Sequence, residues 1–171
     1  DVELAVSLPQ PTQAFGLIGE RLLAPRPPLH ARFDLRGAGH HRRQGRWPDH
    51  LLVSGGFTFF ADRVKASLGI DFARSNRLEV EDGLLTGRMV DQPWGDICDG
   101  AEKRRTLLEM ASLMGIDPSQ AIAVGDGAND LPMMGAAGLS VAYHAKPAVR
   151  AQANIAINQG GLDRLLEVLR P

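Results

Sequence analysis

The chain has 171 residues, 44% hydrophobic and 23% charged, with 19 basic side chains against 20 acidic ones. That length suits one ordinary domain with a real core, or a core plus a small appendage. The charge balance gives no reason to expect nucleic acid or an anionic membrane as partner, and no apolar run reaches the roughly 18 residues of a spanning helix.

The first 24 residues carry a weak amphipathic pattern, with Leu17, Ile18, Leu22 and Leu23 on one side, which predicts two short helices. Val2 to Leu8 also reads as a strand. The chain opens at Asp1 with no basic-then-apolar leader, so a signal peptide is not expected, whereas an upstream segment is. Residues 25–50 differ in composition, holding four of the five His, six Arg and four Pro. Pro27-Pro28 blocks a helix and no period of 3.6 or 2 survives there. The segment reads either as a linker or as a stretch translated in a shifted frame. Its histidines lack acidic or cysteine partners at ligand spacing, which argues against zinc.

From Leu51 the pattern becomes regular. Leu51-Leu52-Val53 predicts a buried strand running into a Ser54-Gly55-Gly56 turn, followed by a helix from Phe57 to Leu68. Leu78 to Val80 and Leu84 to Met89 flank Asp82-Gly83, a strong two-residue hairpin signal. The single cysteine, Cys98, excludes an internal disulfide and a Cys-rich zinc site and points to a reducing cytoplasm. Ala101 to Met114 reads as a helix stopped by Gly115. Ala121 to Val124 is an apolar strand, followed by a Gly-Asp-Gly turn and a helix from Asp130 to Ala137. Leu139 to Tyr143, Asn154 to Ile157 and Leu162 to Leu169 add strand, strand and helix. Apolar strands alternating with helices predict an α/β fold, a parallel sheet with helices on both faces and a hairpin near residues 78–89.

In such sheets ligands bind at the carboxyl ends of the strands. Ser54-Gly55-Gly56, at a strand end before a helix, offers backbone N–H groups and a hydroxyl suited to a phosphate oxygen; such a turn is more often a plain connection. The second strand end reads Gly125-Asp126-Gly127-Ala128-Asn129-Asp130. Asn129 as N-cap and Asp130 in the first turn are explained by capping, but Asp126 between two glycines is not. A dinucleotide fingerprint needs Gly in place of Asp130, and Asp126 repels a pyrophosphate unless a cation intervenes. A hard oxygen-ligated ion such as Mg2+ suits that carboxylate. Lys103, near the start of its helix, reads either as a surface Lys paired with Asp99 or Glu102, or as an ammonium directed at a phosphoryl group. Ser54, Lys103, Asp126 and Asn129 together suggest a Mg2+-assisted phosphoryl site. His144 reads as structural.

Four blocks carry a family likeness: Val53 to Phe60, Asp99 to Lys103, Val124 to Met134 and Leu139 to Pro147. In that order, over about residues 51–169, the chain resembles the phosphoserine phosphatases of the haloacid dehalogenase superfamily. The resemblance implies a HAD-like Rossmannoid core over 51–171, with residues 1–24 a remnant of a helical cap that is mostly missing. It implies hydrolysis of O-phosphoserine, the last step of serine biosynthesis, through an aspartyl-phosphate. Asp126 is then a Mg2+ ligand and Asp130 a support of that acidic loop. Ser54 and the Gly55 N–H hold the phosphate, Lys103 neutralises it, and Asn129 contacts substrate. The family's Asp-x-Asp motif occurs nowhere in this chain, so the nucleophile and the acid/base carboxylate have no counterpart. The strand that carries it lies between those ending at Ser54 and Asp126, which are therefore expected to lack a neighbour there.

Overall fold

The computed structural model describes residues 3–7, 50–93 and 97–169. Eight strands are β1 (Glu3–Ser7), β2 (His50–Phe57), β3 (Phe72–Asn76), β4 (Leu78–Glu81), β5 (Leu84–Met89), β6 (Ala121–Gly125), β7 (Leu139–Tyr143) and β8 (Ile155–Ile157). The α-helices are α1 (Thr58–Leu68), α2 (Gly100–Met114), α3 (Leu131–Met134), α4 (Pro147–Arg150) and α5 (Leu165–Val168).

Six strands form one sheet in the order β3-β2-β1-β6-β7-β8, and every pairing in it is parallel. Successive residues of β6 face opposite sides, and both sides are apolar. Ala121 and Ala123 pack into one cluster with Leu51, Val53, Leu107, Met133 and Met134. Ile122 and Val124 pack into another with Val141, Ile157 and Leu165. A sheet buried on both faces is what the uninterrupted apolar strands predict. The small alanines on the first face let α2 and α3 seat close to the strands, and α1 and α2 both end at a left-handed glycine, Gly69 and Gly115.

Four expectations change. The slot between β2 and β6 is filled: β1 pairs with both, Ser7 level with Val53 and Val6 level with Val124. Thus residues 3–7 belong to the sheet. The other residues of the cap reading, 1–2 and 8–24, and all of the 25–50 segment except His50, lie outside the described residues. Ser54-Gly55-Gly56 is no turn: β2 begins at His50 and stays extended to Phe57, so α1 starts one residue later, at Thr58. β3, which the pattern did not announce, follows α1. The helices expected over 130–137 and 162–169 are shorter, each a 3-10 turn (Ala128–Asp130 and Leu162–Arg164) leading into α3 or α5.

The hairpin forms as expected, with Asp82 and Gly83 both at positive φ (49° and 79°) as a type I′ turn requires. Its two strands stand apart from the main sheet. Among the described residues, no helix is long and apolar enough to cross a membrane.

The chain order places the candidate site. From β1 the connections run outward through β2 to β3, then return to the other side of β1 at β6 and run outward to β8. The reversal lies between β1 and β6, and a crevice opens at the carboxyl ends of strands at such a switch point. Ser54 near the end of β2 and Asp126 just after β6 flank that point. Their strands are separated by one strand, roughly 10 Å at ordinary strand spacing.

Candidate functional site

The acidic turn after β6 is organised by Asp130. Its Oδ2 accepts the backbone N–H groups of Asp126 and Gly127, both at 3.0 Å, and its Oδ1 meets Lys103 Nζ at 2.7 Å. Lys103 and Asp130 are both 0% exposed. The surface reading of Lys103 is therefore overturned: its ammonium is buried on Asp130, while Asp99 caps α2 by accepting Glu102 N–H at 2.9 Å. Buried charges persist only when paired and hydrogen-bonded, and this carboxylate accepts from three donors. The capping reading of Asn129 also fails. Asn129 lies within the 3-10 turn Ala128–Asp130, whose N-cap is Gly127, and among the described residues its Nδ2 is buried without a hydrogen-bond partner.

Glycine permits this packing at two positions. A Cβ on Gly125 would lie 2.4 Å from Asp130 Cβ, so the buried carboxylate sits directly over a residue that must lack a side chain. A Cβ on Gly100 would come within 2.8 Å of the Asn129 carbonyl, so glycine lets the start of α2, and with it Lys103, approach the acidic turn.

Asp126 is left as the carboxylate with no ion pair among the described residues. Burial, then the neighbouring Asp130 carboxylate, pushes its pKa above the ordinary value. Its carbonyl accepts Lys146 N–H at 3.3 Å, which ties the loop after β7 to the acidic turn. In that loop His144 takes a positive φ of 47° and its Nε2 lies 2.9 Å from the Gly160 carbonyl, so that nitrogen carries the proton. This is the structural role expected of His144.

No cluster of three or more His, Cys, Asp or Glu suited to a metal occurs among the described residues. A Mg2+ ion does not require one, because it is commonly held by one or two carboxylates, waters and the substrate's own phosphate oxygens. Asp126, a half-buried carboxylate beside another and without an ion pair among the described residues, has the donor chemistry for such an ion. Asp130 does not, since both its oxygens are taken.

On the other flank, Ser54 is buried and its Oγ accepts Gly56 N–H at 3.0 Å. That contact uses a lone pair and leaves the hydroxyl hydrogen to donate elsewhere. One residue here escaped the sequence reading. Asn76, 4% exposed, donates from Nδ2 to the Gly55 carbonyl and accepts Cys98 N–H at Oδ1, both at 2.8 Å.

Ser54, Gly55, Lys103, Asp126, Asn129 and Asp130 thus lie on elements converging at the switch point. Lys103, Asp126 and Asp130 form one bonded unit. Ser54 and Gly55 are connected toward α2 through Asn76.

Comparison with known proteins gives a consistent picture. A sequence model of the haloacid dehalogenase-like hydrolases matches residues 13–135. The phosphoserine phosphatase of Polaromonas sp. strain JS666 is 75% identical over 120 residues, covering 70% of this chain and 51% of that protein. The chain spans about half the length of the curated relatives it matches. Among solved structures, a phospho-aspartyl intermediate analogue of phosphoserine phosphatase superposes with a TM-score of 0.67 at 35% identity, covering 79% of this chain and 62% of that one. A probable phosphoserine phosphatase from Vibrio cholerae, in unliganded form, gives 0.74 at 28% identity, covering 99% and 64%. With the family model spanning well over half of its length, the chain belongs to the haloacid dehalogenase-like hydrolases.

Proposed function

We propose that this chain is the phosphate- and Mg2+-binding core of a phosphoserine phosphatase, which converts O-phosphoserine and water to serine and phosphate. The observation that carries the reading is the buried Lys103–Asp130 pair, which fixes the Asp126-Gly127 turn and leaves the Asp126 carboxylate at the switch point with no ion pair among the described residues. The high identity to named phosphoserine phosphatases supports the choice of substrate.

In this reading Asp126 holds the ion, which supplies Lewis-acid stabilisation of the phosphoryl charge. Ser54 Oγ–H and the Gly55 N–H donate to the phosphate oxygens from the other side. Asn129 Nδ2, a buried donor with no partner among the described residues, takes the substrate as its acceptor. Lys103 holds Asp130, and through it the Asp126-Gly127 turn, in place. A small, charged metabolite and a single thiol fit a cytoplasmic enzyme.

A second reading is favoured by β1. It fills the slot beside the site, yet the sequence from Glu3 runs Leu4-Ala5-Val6-Ser7-Leu8-Pro9 and offers no carboxylate at the strand's end. On this reading the chain binds phosphate without turning substrate over, and hydrolysis needs a nucleophile from outside these 171 residues.

One experiment separates the two. Orthophosphate release from O-phosphoserine with Mg2+ is measured beside orthophosphate binding, for the natural chain and Asp126→Asn. Release that Asp126→Asn abolishes supports the hydrolase; binding without release supports the second reading. Release that survives Asp126→Asn rejects the role of Asp126, and neither release nor binding rejects both readings.

A further inference from the structure

We propose that Asn76 is a positioning residue that holds the phosphate-binding segment of β2 in register with the helix that carries Lys103. The inference rests on the functional reading above and adds a residue to it.

The argument starts from the ladder between β2 and β3. Ser54 pairs with Ser75, and the next matched pair is Phe57 with Asn76, so Gly55 and Gly56 stand opposite no residue of β3. A bulge of this kind removes backbone groups from the ladder and re-aims the strand, and buried polar groups so released need new partners. Gly56 N–H finds Ser54 Oγ, and the Gly55 carbonyl finds Asn76 Nδ2. Without those two bonds the bulge would collapse toward ordinary pairing, turning the Ser54-Gly55-Gly56 backbone away from its present course.

The second half of the same amide makes this more than local repair. Asn76 Oδ1 accepts Cys98 N–H, one residue before Asp99, the N-cap of α2. One planar group, 4% exposed, therefore bonds the phosphate-binding segment on one side and the lead-in to Lys103 on the other. Its partners are 21 and 22 residues away in sequence. Only a side chain with a donor and an acceptor in one rigid plane satisfies both. Aspartate keeps the acceptor for Cys98 but turns a second acceptor onto the Gly55 carbonyl, and leucine offers neither.

The test uses the full 171-residue chain and orthophosphate with Mg2+ as probe. Titrations follow the Gly55 and Gly56 backbone amide resonances in the natural chain, in Asn76→Asp and in Leu165→Ala. Leu165 is buried in the core cluster on the opposite face of the sheet, so Leu165→Ala lowers stability without touching the segment. The expected result is orthophosphate affinity about tenfold weaker in Asn76→Asp and unchanged in Leu165→Ala, the size of one buried hydrogen bond lost from the binding geometry. A purely structural Asn76 would lower the melting temperature in both variants and leave affinity alone. In the natural chain, the Asn76 side-chain amide protons should exchange slowly with solvent; exchange at the rate of an exposed Asn overturns the proposal even if Asn76→Asp fails to fold. If the natural chain binds orthophosphate and folded Asn76→Asp matches it, the positioning role alone is wrong. If the natural chain does not bind at all, the functional reading falls and this inference with it.

Discussion

Replacing Lys103 by Met tests whether the buried pair organises the site. At 2.7 Å and an effective dielectric near 20, the attraction between Lys103 Nζ and Asp130 Oδ1 is about 6 kcal/mol. Desolvation, at several kcal/mol per ion, consumes most of that, so the intact pair adds little net stability. Breaking it is different. Lys103→Met leaves the Asp130 carboxylate fully buried, with the Asp126 and Gly127 N–H groups as its remaining donors among those three. The expected loss is about 3–5 kcal/mol, the usual cost of breaking a buried pair by removing one partner. Asp130→Asn is expected to lose a similar amount, because it removes the carboxylate that the buried ammonium meets at 2.7 Å. The double variant Lys103→Met/Asp130→Asn should lose less than the sum of the two, with a coupling of roughly 2 kcal/mol or more. Urea unfolding followed by far-UV circular dichroism reads this directly. With a slope of about 2 kcal/mol per molar, either single variant moves the midpoint down by roughly 2 M. A Lys103→Met midpoint within about 0.5 M of the natural chain would refute the reasoning, as would strict additivity in the double variant.

Three further outcomes follow from individual contacts. Asp126 has a raised folded-state pKa, so in the metal-free chain the native state keeps its proton longer than the unfolded state, and its contribution is lost as pH rises from the ordinary value of 3.8 through the raised one. Asp126→Asn should therefore be the more stable protein at pH 7, with the gap closing near pH 3, and should lose Mg2+-dependent phosphate binding; equal melting temperatures at both pH values would count against this. Gly125→Ala forces a Cβ against Asp130 and should cost about 1–3 kcal/mol, a drop of several degrees in Tm; an unchanged Tm would show that the turn relaxes freely. Burial pushes the Cys98 thiol up to about 11, so alkylation by iodoacetamide at pH 8 should run about a hundredfold slower in the folded chain than in urea, and rapid labelling of native protein would contradict the packing around it.

The elements legible in the sequence were those whose own pattern carried the signal. β6 is a run of apolar residues and β7 is apolar apart from Ser140, both identifiable without context, and Asp82-Gly83 fixes its hairpin through two residues at positive φ. β3 was not legible: Phe72-Ala73-Arg74-Ser75-Asn76 has two apolar residues, and its Arg74 is accommodated only because Glu102 and Glu109 of α2 meet the guanidinium at 2.8 Å each. β1 was readable as a strand but not as the central one, since five residues carry no mark of which neighbours they will pair with. The Ser54-Gly55-Gly56 misreading has the same origin. Two glycines suggest a turn until the register shows that they form a bulge, held open by a side chain from another strand.

The same division runs through the site. Asp126 stood out because a carboxylate between two glycines at a strand end conflicts with every local explanation, and such conflicts concentrate at functional positions. Lys103 and Asp130 each had a sufficient local account, as a surface Lys and as a first-turn acid. What changes both is a contact 27 residues long in sequence that places them together out of water. Asn76 had no local signal at all, because an Asn beside an Arg reads as solvent-facing until its two partners are in place. Of the groups proposed to meet the phosphate and its ion, Asp126 alone is visible in the sequence as a residue that does not suit its local position, while Ser54 and Asn129 each had a plain local account. The residues that hold them, Asp130 and Asn76, become visible only when the fold brings their partners together, and they are where substitution should uncouple stability from phosphate affinity.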